Sequence, residues 1–235
     1  FLKKAINDKL LIRLRRKRVA EELMLILKEK NPTKALKRMK DLGVLKYVLP
    51  DTEINTDMIE KLDKIRESYN FWQKNISKEE VDLWLIYFYF LVYQLEQKKI
   101  QKICKKLLLK PKIIDKINYI YLNLNSVIDF LSQKEKLLPS SIYEKLKDVP
   151  NELLFIATIK SKSSIVKERI IGFIKNYKKE RLYISGKDLK KIGVKPGPIY
   201  SHILNALLCA KLDGEVNNKE DEIKFVINLI EGRKK

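Results

Sequence analysis

The segment Val81, Leu83, Trp84, Leu85, Ile86, Tyr87, Phe88, Tyr89, Phe90, Leu91, Val92 and Tyr93 limits the fold more than any other stretch. A membrane span needs about 20 consecutive apolar residues. This run is shorter, is broken by Asp82, and is closed by Gln94 and Glu96. It therefore reads as a central helix buried on nearly all sides, which requires other helices around it. An aromatic stack for RNA bases is the alternative; the core reading is adopted. Ser77-Lys78-Glu79-Glu80, just upstream, has the capping-box order and is expected to open this helix.

The rest of the chain follows the same helical pattern. Seven glycines and seven prolines in 235 residues favour helices over turn-rich β architecture. The length suffices for one sizeable core or two small helical units. In residues 18–50, Val19, Leu23, Ile26 and Leu27 recur at helical spacing. Asn31-Pro32 ends that helix, Thr33 is expected to cap a second one carrying Ala35, Leu36 and Met39, and Gly43 to close it. Val44, Leu45, Val48 and Leu49 cluster before Pro50. Residues 51–72 read as a helix with Ile54, Met58, Leu62, Ile65 and Tyr69 on one stripe. Residues 96–109 and 113–131 read as two amphipathic helices separated by Lys110-Pro111. Further short helices are expected after Leu138-Pro139, with Ser140 and Ser141 as caps, after Pro150, and from Ser163-Ser164 to about residue 179. The expected fold is all-α, an elongated array of short helices in which a body module precedes a tail module. Loop composition places their boundary between Gln133 and Pro150.

The formal net charge is +20, and it is segregated. Residues 1–50 carry +10, residues 51–96 carry −5, residues 97–136 carry +7 and residues 137–235 carry +8. Surfaces this basic are usual in proteins that meet nucleic acid, where Lys and Arg displace counterions around phosphates. A Lys- and Ile-rich composition from an AT-rich genome or a heat-loving organism is the alternative, but it does not segregate charge. Lys98, Lys102, Lys105 and Lys106 share one helix side by their spacing, so phosphate contact stands beside a plain solvated face. The run Arg13, Arg15, Arg16, Lys17 and Arg18 opposes the dipole of the helix it opens. A solvated helix start is one reading; the other is an anion nearby, either a nucleotide or RNA phosphate or the acidic surface of another domain. Phe1 to Leu14 is expected to be a helix end and linker, broken at Asn7-Asp8. Cys104 and Cys209 are isolated in helical patterns and read as buried reduced thiols. With no signal peptide visible, a cytoplasmic location and no membrane partner are expected. His202, the single histidine, has no Cys, Asp or Glu at ligand spacing and reads as a surface residue rather than a metal ligand; a minor RNA contact is the alternative.

Residues 183–216 form the second informative stretch. Ser185 can cap a helix holding Leu189, Gly193 ends it, and Lys195-Pro196-Gly197-Pro198 makes a tight turn. A long helix then carries Ile199, Ile203, Leu204, Leu207 and Leu208, with Pro198 as its expected first residue. Helix, glycine turn, helix, with lysines at the turn, is a common phosphate-gripping design. The order is similar to a helix-hairpin-helix.

Two ordered strings carry a resemblance over nearly the whole chain. Arg18-Val19-x-x-Glu22-Leu23, Asn31-Pro32, Leu42-Gly43-Val44-Leu45 and Leu49-Pro50 resemble the neck-to-body segment of bacterial class II tRNA nucleotidyltransferases and poly(A) polymerases. Ile184-Ser185-Gly186-x-Asp188-Leu189, Gly193, Lys195-Pro196-Gly197-Pro198, Ile203-Leu204 and Leu212-Asp213-Gly214-Glu215 resemble the tail of the tRNA nucleotidyltransferases, and Asn217 to Glu222 continues as an acidic helix start does there. The resemblance implies residues 1–31 as the end of a neck, 32–136 as a helical body and 137–235 as a helical tail. It implies that body and tail hold the acceptor stem and T-arm of tRNA, with Lys98, Lys102, Lys105, Lys106, Lys187, Lys190, Lys191, Lys195 and the backbone of Gly197 as candidate phosphate contacts. Arg18 and Glu22 take a supporting place in the neck. The family's nucleotidyl transfer needs a carboxylate pair holding Mg²⁺ in an N-terminal head. Neither a Gly-Ser-x-x-Asp-x-Asp string nor a Glu-Asp-x-x-Arg before Arg18 occurs here. With Phe1 at its start, the chain is expected to be the C-terminal part of an enzyme whose head, and Mg²⁺, lie elsewhere, in the same polypeptide or a separate chain. A helical RNA-binding adaptor without an enzymatic parent, or a poly(A) polymerase fragment, remains the alternative.

Overall fold

The computed structural model describes residues 16–232. The expected helix end and linker, the Asn7-Asp8 break, Arg13 and Arg15 lie outside the described residues. Among the described residues there are thirteen α-helices and one short 3-10 turn, with no strand. In chain order these are α1 (Arg16–Lys28), α2 (Pro32–Asp41), α3 (Leu45–Val48), α4 (Thr56–Asn75), α5 (Leu83–Val92), α6 (Gln97–Lys106) and α7 (Pro111–Leu131). There follow α8 (Pro139–Leu146), α9 (Asn151–Lys160), α10 (Ser164–Lys175), the 3-10 turn Tyr177–Lys179, α11 (Gly186–Lys191), α12 (Ile199–Leu212) and α13 (Lys219–Gly232).

They fall into two compact units, one of residues up to 128 with 150–162, the other of 129–149 with those from 163 on. A single cut between Gln133 and Pro150, where loop composition places it, would part α9 from the unit with which residues 150–162 cluster. Glu152 to Ala157 of α9 are all buried. Phe155 meets the rings of Tyr69 and Trp72 edge-on, with centroids 6.2 and 5.3 Å away.

In the first unit α5 is the centre, and Trp84 to Val92 are all buried. Helices α1, α4 and α9 pack against it, as its all-round apolarity demands. The capping box expected at Ser77 is not used. The Ser77 hydroxyl accepts from the Glu79 N–H at 3.1 Å instead, and α5 begins at Leu83 with Asp82 in the cap position. The reason is that the chain enters the core before it becomes helical: Val81 is buried, and the Asp82 N–H donates to the buried Glu152 carboxylate at 3.3 Å. The Lys116 ammonium approaches that carboxylate at 2.9 Å.

Other helix starts also shift. Pro32 occupies the first turn of α2 and is buried together with Thr33, so Asn31, not Thr33, stands in the cap position. The helix expected from Asp51 starts at Thr56, where Asn55 Oδ1 accepts from the Met58 N–H at 2.8 Å. Asp51 itself has φ +64° in the turn after Pro50. Ser140 does not cap α8; its N–H and hydroxyl both donate to the Asp213 carboxylate, at 2.9 and 2.5 Å. Pro198 lies one residue before α12, in its cap position. The buried-thiol expectation holds for Cys104, whose pKa burial pushes up to about 11. Cys209 is only half-buried, with its sulfur 3.9 Å from Glu144 Oε1. No helix of the described residues is long and apolar enough to cross a membrane.

Four helices end in the same left-handed closure, with one residue at positive φ and paired bonds back to the last turn. Gly43 (φ +73°), Gly193 (+92°) and Gly214 (+83°) close α2, α11 and α12 as the chemistry prefers. At the end of α6 the residue is Leu108 (φ +51°), with its side chain 59% exposed. A left-handed residue with a Cβ carries roughly 1–2 kcal/mol of strain. Leu108→Gly should therefore raise the unfolding free energy by about 1 kcal/mol, read as a higher denaturant midpoint with the slope of the transition unchanged.

Candidate nucleic-acid interface

The first basic cluster is built by α6. Ile100, Ile103 and Cys104 are buried, so the helix must turn Lys98, Lys102, Lys105 and Lys106 outward, and all four are exposed. Among the described residues no ion pair involves Lys98, Lys102 or Lys105. Lys106 differs: its ammonium donates to the Tyr47 carbonyl at 2.5 Å, which ties α6 to α3. Lys99, on a neighbouring position, pairs with Asp51 at 3.1 Å.

Beside this face lies a cavity of about 550 Å³. Val19, Leu23 and Ile26 of α1 line it together with Met39, Val44, Val48 and Leu107. The stripe that made α1 legible as a helix is thus only partly used by the core. Four cations, Arg16, Arg18, Lys46 and Lys106, also line it, against one acid, Glu22. Arg18 and Glu22 form an i,i+4 pair at 2.8 Å. Both side chains are largely exposed, so the pair orients the guanidinium more than it stabilises the helix. Lys46 and Tyr47 were missed from the sequence. Their signal was weak, two residues inside a motif read for its leucines, glycine and proline.

The second cluster belongs to the second unit. Ser185 and Asp188 form a capping box at α11, and the bond from Ser185 holds the Asp188 carboxyl below its usual range. Leu189 is buried and anchors the short helix, leaving Lys187, Lys190 and Lys191 exposed. Lys191 approaches Asp188 at 4.0 Å, while Lys187, Lys190 and Lys195 take part in no ion pair among the described residues. Residues 195–199, including Gly197, are exposed. The Tyr200 hydroxyl donates to the Val194 carbonyl at 3.0 Å and braces the turn. A Cβ on Gly186 would meet the Tyr200 ring at 3.2 Å, so glycine lets α11 and α12 approach. Ile203 and Leu207 of α12 share a core with Leu189, Ile184 and Val226.

That hairpin rests on a buried ion pair that sequence reasoning did not single out. Glu222 of α13 is fully buried. Its carboxylate accepts from the Tyr183 N–H at 2.8 Å, the Ile184 N–H at 2.9 Å and the Lys211 ammonium at 3.0 Å. Lys211 also donates to the Arg181 carbonyl at 2.7 Å, and Glu180 lies 3.4 Å away. The non-helical stretch before α11 is thereby fastened to both α12 and α13. Burial alone would lower the Lys211 pKa, but the hydrogen bond and charge of Glu222, with Glu180, hold it above the ordinary lysine value.

His202 is exposed. Among the described residues no group of three or more His, Cys, Asp or Glu side chains could hold a metal ion.

A family model for tRNA nucleotidyltransferase domain 2 matches residues 76–226, well over half of the chain. A second, described as the probable RNA and SrmB-binding site of polymerase A, matches residues 4–55. An A-adding tRNA nucleotidyltransferase of Geobacter sulfurreducens is 28% identical over 97% of this chain and 26% of its own length. Another from Halalkalibacterium halodurans is 22% identical over 88% of this chain and 45% of its own. This chain therefore spans about a quarter to a half of the curated relatives it matches. A solved Thermotoga maritima CCA-adding enzyme complexed with tRNA aligns with a TM-score of 0.73 at 25% identity, over 97% of this chain and 55% of that one.

Removing one partner of a buried ion pair leaves the other uncompensated, at about 3–5 kcal/mol. Glu222→Ala should lower the melting temperature accordingly, while Glu21→Ala, at an exposed position, should leave it within experimental error. Because the folded-state pKa of Lys211 is raised, its contribution is complete below the ordinary lysine value and is lost as pH rises through the folded one. Melting curves should show a loss of stability on strong alkalinisation that is smaller in Lys211→Met.

Proposed function

Because this chain belongs to the tRNA nucleotidyltransferase family, we propose that it is the substrate-holding part of an enzyme that adds C or A residues to the 3′ end of tRNA. The observation that carries this reading is the set of six exposed lysines without ion-pair partners among the described residues: Lys98, Lys102 and Lys105 in one unit, Lys187, Lys190 and Lys195 in the other. A solvated surface of a folded protein usually intersperses both signs. These lysines, with Lys106 and Lys191 in secondary places and the backbone at Gly197, suit the phosphates of the acceptor stem and T-arm. RNA helices are recognised mainly through shape and backbone, so contacts of this kind position the substrate without reading its sequence.

Arg18 and Glu22 support the junction towards the neck in this reading. Nucleotidyl transfer belongs to a head outside these residues, in the same polypeptide or a separate chain. Mg²⁺ would be held by that head's carboxylates, and a cytoplasmic location follows from the substrate. The polymerase A model over residues 4–55 supports a second reading, in which the parent extends poly(A). Most of the chain, including the tail, matches the tRNA family instead.

The chain should bind a whole tRNA transcript, and a minihelix of acceptor stem and T-arm, with affinity that falls steeply with salt. Each phosphate contact contributes about 0.7–0.9 to the slope of log K against log salt. Lys102→Gln and Lys190→Gln should each reduce that slope by nearly one and weaken binding several-fold. Salt-insensitive binding, or none at low salt, overturns the reading; preference for poly(A) over tRNA supports the second one.

A further inference from the structure

Tyr183 is 60% exposed although its backbone opens the polar network around the buried Glu222. Its N–H is fixed by the buried Glu222 carboxylate. Its ring lies over the Lys211 ammonium, 3.8 Å from the centroid. Lys211 is itself held by Glu222, Glu180 and the Arg181 carbonyl, and its side chain is only 9% exposed. The ammonium thus acts as a fixed floor beneath one face of the ring, and the exposure falls on the rest of the ring. Lys187 and Arg181 are exposed within four residues.

A ring whose backbone and one face are both held, and which is otherwise open to solvent beside cations, has the design of a stacking surface. Nucleobases have π faces of the same size, and base–aromatic stacking is tolerant of base identity. A cation close to the opposite face draws electron density from the ring, which favours stacking by electron-rich purines. Burial of this phenol in the core would have been the cheaper use of its apolar area. We propose that Tyr183 is a preorganised platform on which an exposed base face of the bound RNA stacks, whether an unpaired base or the outer face of a terminal pair.

The inference rests on the reading of this chain as a tRNA-holding module, and its test separates the two. Affinity for a tRNA transcript is measured across salt for the wild-type chain, Tyr183→Phe, Tyr183→Leu and Tyr183→Trp. Tyr183→Leu should bind roughly 5- to 100-fold more weakly with an unchanged salt slope, because no charge is removed. Tyr183→Phe should bind within twofold of wild type. Tyr183→Trp should bind at least as tightly, and its fluorescence should be quenched by tRNA far more than that of the buried Trp72 and Trp84 in wild type. If the ring only shields Lys211, Tyr183→Leu will lose thermal stability but keep its affinity. That result overturns the platform while leaving the tRNA reading intact. Absence of extra quenching in Tyr183→Trp overturns it even if Tyr183→Leu fails to fold. Failure of the wild-type chain to bind tRNA removes both.

Discussion

A ten-residue helix that is apolar all the way round cannot face water on any side, and α5 imposes this constraint on the first unit. Trp84 to Val92 are buried without exception, and α1, α4 and α9 supply the covering surfaces. Burying such side chains contributes about 1.5–3 kcal/mol each relative to exposure. The connection to α9 is the telling one. The chain leaves this unit near residue 128 and comes back at 150, because Leu153 to Ala157 are a second fully buried run that has its complement here.

The units share a way of fastening helices. Glu152 sits in the first turn of α9 and Glu222 in the first turn of α13, and each is buried. An acid there meets the positive end of the helix dipole. Each accepts from a lysine of another helix and from a backbone N–H of an incoming segment: Lys116 and Asp82 in one case, Lys211 with Tyr183 and Ile184 in the other. The consequence for function is direct, since these two lysines are engaged by buried carboxylates while Lys98, Lys102, Lys105, Lys187, Lys190 and Lys195 are left facing solvent.

The sequence carried much of this. Gly43 and Gly193 could be read as helix closures because left-handed backbone is costly for anything else, and Ser185 as a cap because its place just before a helical pattern is a local property; that Asp188 completes a box with it came from the structure. The same local logic failed at Ser77, Thr33 and Asp51. There the competing demand was tertiary: Glu152 took the Asp82 N–H, the core took Thr33, and Asn55 offered a better-placed cap than anything near Asp51. The exposed side of α6 was legible from periodicity, yet nothing in periodicity distinguishes Lys106, bound to the Tyr47 carbonyl, from Lys105, which is not.

By itself the sequence determined that the chain is helical, that the apolar run around Trp84 to Val92 lies in a core, that its charge is segregated, and which family strings it carries. Each depends on the order of residues along the chain: spacing, capping chemistry and composition. Only the tertiary structure decided that α9 belongs with α5, that Lys116 and Lys211 are structural cations, that Lys46 and Tyr47 join Arg18 around one cavity, and that Tyr183 stands over a buried ammonium. Those outcomes depend on which distant groups meet. A buried charge is tolerable only where its counter-charge and hydrogen-bond partners arrive together, and that is a property of packing, not of neighbours in sequence.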